Sequence, residues 1–244
     1  MSEKQGLPLW VADTGENTHY ASFITKHASR VTNQPSRITR YASRITIKRN
    51  YIYMSNITIF NLAFRYFPGD KLKVPVHIPY GCLCIISALE QAGHRVEFRD
   101  YQLNSYSNPA DIKCMADFLK NPGNIIGISC FSKELPYSVL LSRELKKLYP
   151  SVKIILGGCG PTGVAEKLIE YFDSIDFIVT GEGDVTVVEL LDAIEGRRNF
   201  TDVKGIVFKS DGNVIVTQER ERIKELDSLP PAAYHHINLS FYDS

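Results

Sequence analysis

Small residues are concentrated in three short stretches of the sequence that each follow an apolar run. The stretches are GISCFS (127–132), GGCGPTG (157–163) and TGEG (180–183). Glycine leaves backbone N–H and C=O groups open to close approach by a ligand. One stretch alone could simply form a tight turn from a strand into a helix. Three stretches that meet at one place would instead form a binding surface for a broad ligand laid over bare backbone.

The standard nucleotide-binding motifs are missing from these stretches. The first predicted strand is not followed by G-x-G-x-x-G, and G-x-x-x-x-G-K-[ST] occurs nowhere in the sequence. These motifs place diphosphate or triphosphate groups on a helix N-terminus, so their absence argues against a dinucleotide or a P-loop nucleotide. A flat ligand such as a flavin remains a weaker possibility.

Five units of strand followed by helix surround the small-residue stretches. Most of the strands are apolar runs, and the strand at 95–100 alternates apolar with charged residues, whereas the intervening segments carry apolar residues at helical spacing. Strands of this kind are buried on both faces, which predicts a doubly wound, five-stranded parallel sheet in a three-layer α/β sandwich that is flavodoxin-like (Rossmann-type). The predicted strands are 57–64, 95–100, 125–131, 153–158 and 175–183.

The segment after the last helix has a different pattern. Two alternating strands surround Asp211-Gly212, a pair typical of a type I′ turn, and predict a C-terminal β-hairpin. Residues 223–244 contain two prolines and mostly polar residues, and are interpreted as a linker. The predicted domain organisation is therefore an α/β domain over 54–200, a hairpin over 201–222 and a linker over 223–244.

Residues 1–53 differ from the rest in composition. Residues 17–53 contain seven Lys or Arg and no acidic residue, with three near-copies of the sequence SRIT. Three interpretations remain open: a transit-type peptide, a basic arm for an anionic surface, or translated upstream sequence with Met54 as the true start. We expect this low-complexity extension to be disordered or mis-started.

Charge and cysteine content narrow the class of protein. The net charge of +1 gives no reason to expect nucleic acid as a partner, and the sequence contains no apolar run long enough to span a bilayer. Five cysteines without paired spacing suit reduced thiols in the cytoplasm. We therefore expect a cytoplasmic protein that binds neither nucleic acid nor membranes.

Four ordered stretches, 78–100, 125–132, 155–163 and 177–196, resemble the N-terminal cobalamin-binding domain of cobalamin-dependent radical SAM proteins. This group includes the anaerobic magnesium-protoporphyrin monomethyl ester cyclase and many methyltransferases. Residues 223–234 resemble the segment that leads from this domain into the catalytic barrel. The resemblance covers residues 57 to about 235.

The resemblance implies that the chain binds cobalamin (vitamin B12), base-off, for methyl transfer or radical chemistry carried out by another polypeptide or by a missing domain. The implied cofactor-binding residues come from the loops after strands one, three, four and five. They are Tyr80, Gly81, Ser129, Phe131, Ser132, Gly157, Gly158, Pro161, Thr162, Gly181, Glu182 and Gly183. A bulky residue at Gly158 is expected to block corrinoid uptake without disturbing the fold.

Two features depart from related patterns. The lower-ligand motif D-x-H-x-x-G is absent; the nearest histidine, His77, has Pro75 and Tyr80 where Asp and Gly belong, so we do not expect it to bind cobalt. The iron–sulfur pattern C-x-x-x-C-x-x-C is also absent, so we expect no cluster, no catalytic residue and no metal ligand on this chain. The alternative is a truncated remnant or interaction module that binds no cofactor.

Several candidate residues also have simpler explanations. The cysteines suit a hydrophobic core, although Cys159 lies in the glycine loop and could face a ligand. Glu182 could cap the helix that begins near Asp184 or contact the ligand. The pair His235-His236 is interpreted as part of a solvated linker rather than as a metal site.

Overall fold

The computed structural model describes residues 55–64 and 75–242. These residues all belong to the second of two units into which the chain divides, Met1–Tyr51 and Ile52–Ser244. The predictions for residues 1–53 and for most of the loop after the first strand lie outside the described residues. Within them, no helix is long and apolar enough to cross a membrane.

The described strands form one seven-stranded sheet in the order β2-β1-β3-β4-β5-β6-β7. The first five are parallel, whereas β6 pairs antiparallel with β5 and β7 antiparallel with β6. The order 2-1-3-4-5 is the flavodoxin-like order of doubly wound sheets, so the predicted fold class is confirmed. The strands are β1 (Asn56–Leu62), β2 (Arg95–Asp100), β3 (Ile125–Cys130), β4 (Lys153–Gly157), β5 (Phe177–Val179), β6 (Ile206–Ser210) and β7 (Asn213–Val216).

Helices cover both faces of the sheet, as apolar parallel strands require. Several of them begin or end at the predicted signals: Asp111 accepts a hydrogen bond from the Lys113 N–H at the start of α2, and Gly93, with φ of 94°, follows the end of α1. The helices are α1 (Tyr80–Gln91), α2 (Ile112–Phe118), α3 (Leu135–Leu148), α4 (Cys159–Thr162), α5 (Ala165–Tyr171) and α6 (Gly183–Ile194).

Alternation along each strand divides the core into two. On β1, Phe60 and Leu62 pack in the core beneath α2, α3 and α5, whereas Ile57 and Ile59 pack in the core beneath α1 and α6. The same alternation holds for β3 and β4, since successive side chains point to opposite faces of a sheet. The face covered by α1 and α6 is the one that carries the candidate site.

The predicted hairpin is present and extends the same sheet. Asp211 and Gly212 both have positive φ, 48° and 80°, as a type I′ turn requires. Its first strand pairs with the edge of β5 through Val207 and Ile178. The sequence did not predict this attachment.

The C-terminal segment (residues 223–242) packs against the domain instead of leaving it. The Ala233 N–H donates to the Leu83 carbonyl at 3.1 Å, and Ala233 is buried in the core beneath α1. The Tyr242 hydroxyl donates to Asp100 Oδ2 at 2.6 Å. This arrangement differs from a solvated linker, because the segment covers part of α1 and reaches the end of β2.

Candidate functional site

Three positions that carry little or no side chain lie together on the sheet face covered by α1 and α6. Gly127 pairs in register with Ile155, and Ser129 pairs with Gly157 one step further along the same two strands. Because residues two apart share a face, Gly127, Ser129 and Gly157 form one small patch across β3 and β4. An added Cβ at Gly157 would meet nothing within 4 Å. An added Cβ at Gly127 would lie 3.0 Å from the Ile59 side chain, so the open hollow in the sheet surface lies above Ser129 and Gly157.

Between this hollow and helices α1 and α6 runs a narrow, mostly apolar space, which we call the inner slot. Its cavity volume is about 80 Å³. Isoleucine and valine side chains from β1, β4, β5 and α6 form most of its wall, with Ser129 and Cys82 as its polar groups. The lining residues are Ile57, Ile59, Gly81, Cys82, Ile85, Gly127, Ile128, Ser129, Ile155, Gly157, Gly158, Val179 and Val187.

The inner slot opens into a wider depression at the carboxyl ends of the strands, which we call the outer cleft. The outer cleft has a cavity volume of about 700 Å³. It is bounded by Tyr80, Cys84, Gly181, Glu182, Gly183 and Asp184 on one side and by Ile223, Leu226, Asp227, Leu229, Pro230, Pro231 and Ala232 on the other. Gly81, Ile85, Ser129 and Gly158 line both spaces, so they form one continuous site.

The glycines at the end of β4 and in the turn that follows it have different structural roles. Gly158 has φ of 93°, and an added Cβ would lie 2.7 Å from the Cys130 carbonyl oxygen on the neighbouring strand. A Cβ at Gly160 would lie 2.7 Å from the Phe131 carbonyl oxygen. These two glycines allow close packing of the turn on β3, whereas Gly157 leaves the slot open. The expectation that a bulky residue at Gly158 leaves the fold intact is therefore wrong, because that side chain would strain the backbone.

Cys82 places a thiol in the wall of the inner slot. Complete burial raises its pKa to about 12, and a hydrogen bond with Ser129 only partly opposes this effect. The thiol is therefore neutral at physiological pH, and it pairs with the hydroxyl at the floor of the slot. The slot consequently carries no charge from either group.

Carboxylates lie at the mouth of the outer cleft. Burial raises the pKa of Asp184, and the neighbouring charge of Glu182 raises it further. Glu182 Oε2 accepts a 2.7 Å hydrogen bond from the Ile223 N–H. Glu182 makes no side-chain cap on α6, so its observed role is to hold the start of the C-terminal segment beside the cleft.

Most of the predicted site residues line one of the two spaces. Tyr80, Gly81, Ser129, Gly157, Gly158, Gly181, Glu182 and Gly183 do so. Phe131, Ser132, Pro161 and Thr162 line neither space. Phe131 and Ser132 are exposed in the turn before α3, Pro161 is buried in α4, and the Thr162 hydroxyl donates to the Gly158 carbonyl oxygen.

Two candidate residues that sequence reasoning singled out lie away from both spaces. His77 is exposed, and the Gln102 side chain holds its backbone through two hydrogen bonds. The His77 N–H donates to Gln102 Oε1 at 3.0 Å, and Gln102 Nε2 donates to the His77 carbonyl oxygen at 2.8 Å. Cys159, the glycine-loop cysteine, is also exposed and lines neither space.

Sequence reasoning missed the apolar wall of the slot and the contribution of the C-terminal segment. Ile57, Ile59 and Ile155 look like ordinary core residues in the sequence, and only the folded chain places them in the wall of the slot. The segment 223–232 carries no periodicity that would place it beside the cleft. Gly127, in the middle of an apolar strand, was the available signal, because glycine in a strand interior often marks a close approach.

Residues 74–191 match the family model of the B12 binding domain. The chain is also 30% identical over 159 residues to the anaerobic magnesium-protoporphyrin IX monomethyl ester cyclase of Synechocystis sp.. That alignment covers 65% of this chain and 32% of the relative, so the chain spans about a third of the relative's length.

Solved structures have the same fold. The cobalamin-dependent S-adenosylmethionine radical enzyme OxsB, with aqua-cobalamin and S-adenosylmethionine bound, superimposes with a TM-score of 0.57 at 20% identity, covering 73% of this chain and 24% of the enzyme. The radical S-adenosylmethionine methyltransferase TsrM of Kitasatospora setae, with cobalamin and a [4Fe-4S] cluster bound, gives 0.53 at 19% identity over 72% of this chain and 31% of the enzyme. Residues 74–191 therefore belong to the B12-binding domain family, and the chain is related to cobalamin-dependent radical SAM proteins.

Proposed function

We propose that this domain holds cobalamin with the nucleotide tail in the inner slot and the corrin ring across the outer cleft. The observation that carries the proposal is the hollow above Ser129 and Gly157, which continues into a wide cleft at the strand ends. A tight strand-to-helix turn requires neither the hollow nor this continuity. The match to the B12 binding domain supports the same assignment.

The residues present suit the two parts of the cofactor. The tail ends in a flat aromatic base, and the inner slot offers isoleucine and valine walls around a floor without bulky side chains. The corrin is broad and carries amide arms that donate and accept hydrogen bonds. The outer cleft offers the Glu182 and Asp184 carboxyl groups together with bare backbone at Gly181 and Gly183.

This placement supports a base-off arrangement. A tail bound in the slot beneath α1 and α6 would be held away from the cobalt. Among the described residues, no histidine lines either space, and His77 is exposed outside both. We therefore propose binding without a histidine lower ligand.

The domain would bind and orient the cofactor while the reaction takes place elsewhere. Cobalamin, when bound, supplies a cobalt centre for methyl transfer or radical chemistry. This chain would contribute the slot for the tail and a glycine-lined floor beneath the ring. We propose that the catalytic groups and any iron–sulfur cluster belong to a separate polypeptide or to a further domain, toward which residues 223–244 would lead. The Synechocystis relative is about twice as long as this chain, and the alignment covers 32% of it, which supports this division.

Corrinoid uptake by the full chain tests the proposal. Addition of hydroxocobalamin should shift the visible spectrum to the base-off form and leave a stoichiometric amount of corrinoid on the protein after gel filtration. Gly157→Leu should abolish uptake while the far-ultraviolet circular dichroism stays unchanged, since its side chain would extend into open space in the slot.

Gly163→Leu provides the matched control. Gly163 lies in the same loop, has an ordinary backbone conformation and meets nothing within 4 Å, but it lines neither space. It should take up corrinoid like the unchanged chain. If the unchanged chain retains no corrinoid, the alternative of a domain without cofactor is correct. If Gly157→Leu retains as much as Gly163→Leu, the tail does not occupy the inner slot.

A further inference from the structure

A group of metal-binding side chains lies outside the cofactor site, where the C-terminal segment crosses α1. His235 and His236 lie in a short 3₁₀ turn, Tyr234–His236, and both direct their Nε2 atoms at Glu90 on α1. His236 Nε2 lies 2.7 Å from Glu90 Oε1, and His235 Nε2 lies 3.0 Å from Oε2. The three ligand atoms lie within 4.8 Å of one another.

Ordinary hydrogen bonding explains this arrangement poorly. The two imidazoles are neighbours in sequence, yet they lie side by side with ring centroids 4.6 Å apart and share one carboxylate. Ordering three side chains at a surface costs conformational entropy that exposed charge pairs rarely return. His235 is 65% exposed, so its contact with Glu90 in particular needs another source of stabilisation.

We propose that Glu90, His235 and His236 bind a zinc ion, with solvent as the fourth ligand. Two imidazole nitrogens and one carboxylate form a three-ligand set that Zn²⁺ adopts in proteins. Tetrahedral bonds of about 2.0 Å place ligand atoms about 3.3 Å apart. Each imidazole nitrogen lies 2.7 or 3.0 Å from its nearest carboxylate oxygen, and all three ligand atoms lie within 4.8 Å of one another, so small side-chain movements suffice to surround an ion. The single negative charge of Glu90 partly neutralises the ion, and the exposed side of His235 leaves space for water.

The ion would fix the C-terminal segment on α1. The segment already contacts one stripe of the helix: Ala233 donates to the Leu83 carbonyl, the Ser87 hydroxyl donates to the Pro231 carbonyl at 2.6 Å, and the histidines meet Glu90. Positions 83, 87 and 90 share a helix face. Because residues 223–232 bound the outer cleft, the ion would hold one side of that cleft in position.

Zinc titration of untagged, chelator-treated protein without corrinoid tests the site. Calorimetry should show one Zn²⁺ bound per chain, and trypsin should cleave at the exposed Lys224 more slowly in the presence of zinc. His235→Ala, His236→Ala and Glu90→Gln should each weaken binding by at least about 10-fold, because even the loss of an outer partner of a ligand costs about 10- to 100-fold. His77→Ala, an exposed histidine elsewhere, should bind zinc like the unchanged chain.

Cobalt(II) in place of zinc identifies the ligand type. Binding at this site should give tetrahedral visible bands without a sulfur charge-transfer band in the near ultraviolet. Absence of binding by the unchanged chain, unchanged affinity in all three variants, or a sulfur band from the cysteines would each overturn the proposal. None of these measurements depends on cobalamin.

Discussion

At the scale of residues, the glycines at positions 157–163 have two different physical roles, and the sequence alone does not show which glycine has which role. Gly158 and Gly160 are needed because carbonyl oxygens of the neighbouring strand end lie where a Cβ would be. Gly157 is needed for neither reason, and its open face forms part of the slot. Only a glycine that leaves open space, as Gly157 does, indicates a ligand-binding site. The number of glycines in a loop therefore says little about function.

Replacing Gly158 with alanine should destabilise the domain by about 1–3 kcal/mol or more, because φ of 93° is strained for any other residue and the Cβ would clash with the Cys130 carbonyl. Urea denaturation of the full chain measures this loss. Gly163→Ala, at a site with ordinary φ and open surroundings, should instead be neutral or slightly stabilising. Equal stability of the two variants would show that the close approach at Gly158 carries no cost.

The candidate site could be predicted in part from its residues. The three small-residue stretches do lie together at the strand ends, because each follows a parallel strand and such ends meet at one edge. Phe131, Ser132, Pro161 and Thr162 were expected there as well but line neither space. Residues that are close together in the sequence of a turn do not all line the site, and the sequence does not show which of them do.

At the scale of elements, the C-terminal segment joins a buried polar network. Asp100, at the end of β2, accepts hydrogen bonds from Asn61 Nδ2 at 2.9 Å, from Gln102 Nε2 at 2.7 Å and from the Tyr242 hydroxyl at 2.6 Å. Gln102 in turn holds the backbone of His77 in the loop that leads into α1. One carboxylate therefore connects two strand ends, this loop and the C-terminal segment.

Removing the hydroxyl in Tyr242→Phe should cost about 1.5–3 kcal/mol, the usual range for a hydrogen bond to a charged group, since one oxygen of the buried Asp100 loses a donor. Thermal or urea unfolding provides the measurement. The exposed Tyr234 lies in the same segment, and Tyr234→Phe should change stability by less than about 0.5 kcal/mol. A loss of the same size in both variants would exclude a specific role for the network.

Periodicity predicted the long elements well and the short ones poorly. Strands β1 to β5 and helices α1, α3 and α6 follow from apolar patterns, and the Asp111 cap follows from residue type. The short helix α4 was missed because Gly160 and Pro161 are poor helix formers. The docking of residues 223–242 was missed because contacts such as Ser87–Pro231 and Asp100–Tyr242 join residues more than 140 positions apart in the sequence.

At the scale of the whole molecule, burial of protonated thiols links stability to pH. Burial raises the pKa of Cys82 to about 12 and that of Cys130 to about 11, both above the ordinary value of 9.0 for a thiol. The folded chain therefore holds these protons more tightly than the unfolded chain. The stability that these protonated thiols contribute is fully present below pH 9, and it is lost as the pH rises toward their pKa values in the folded chain.

Stability should accordingly fall by about 1.4 kcal/mol per pH unit for each of these thiols between pH 9 and the folded pKa. Urea denaturation at a series of alkaline pH values gives the slope. Cys82→Ser should reduce the slope by the contribution of one thiol, about 1.4 kcal/mol per pH unit, whatever effect the substitution has on stability at pH 7. Cys159→Ser removes a thiol that is exposed to solvent and should leave the slope unchanged. An unaltered slope in Cys82→Ser would contradict the assignment.

The sheet as a whole was predicted except for its final edge. The order 2-1-3-4-5 follows from alternating strands and helices, because right-handed crossovers leave few alternatives. The hairpin was predicted from Asp211-Gly212, but its attachment to β5 depends on a backbone edge that carries no signal in residue types.

The contacts of the C-terminal segment bear on the order in which the molecule assembles and opens. The hairpin joins residues only a few positions apart and can form within about 1–10 μs. The segment must instead bring His236 to Glu90 and Tyr242 to Asp100 across 146 and 142 positions of chain, after α1 and β2, which carry those partners, have formed. We expect its amide hydrogens to exchange well before those of β1 and β3, since regions with few buried contacts open locally below the global unfolding energy. One side of the outer cleft would then open and close without unfolding the core, which gives a large cofactor a route into a slot that lies beneath two helices.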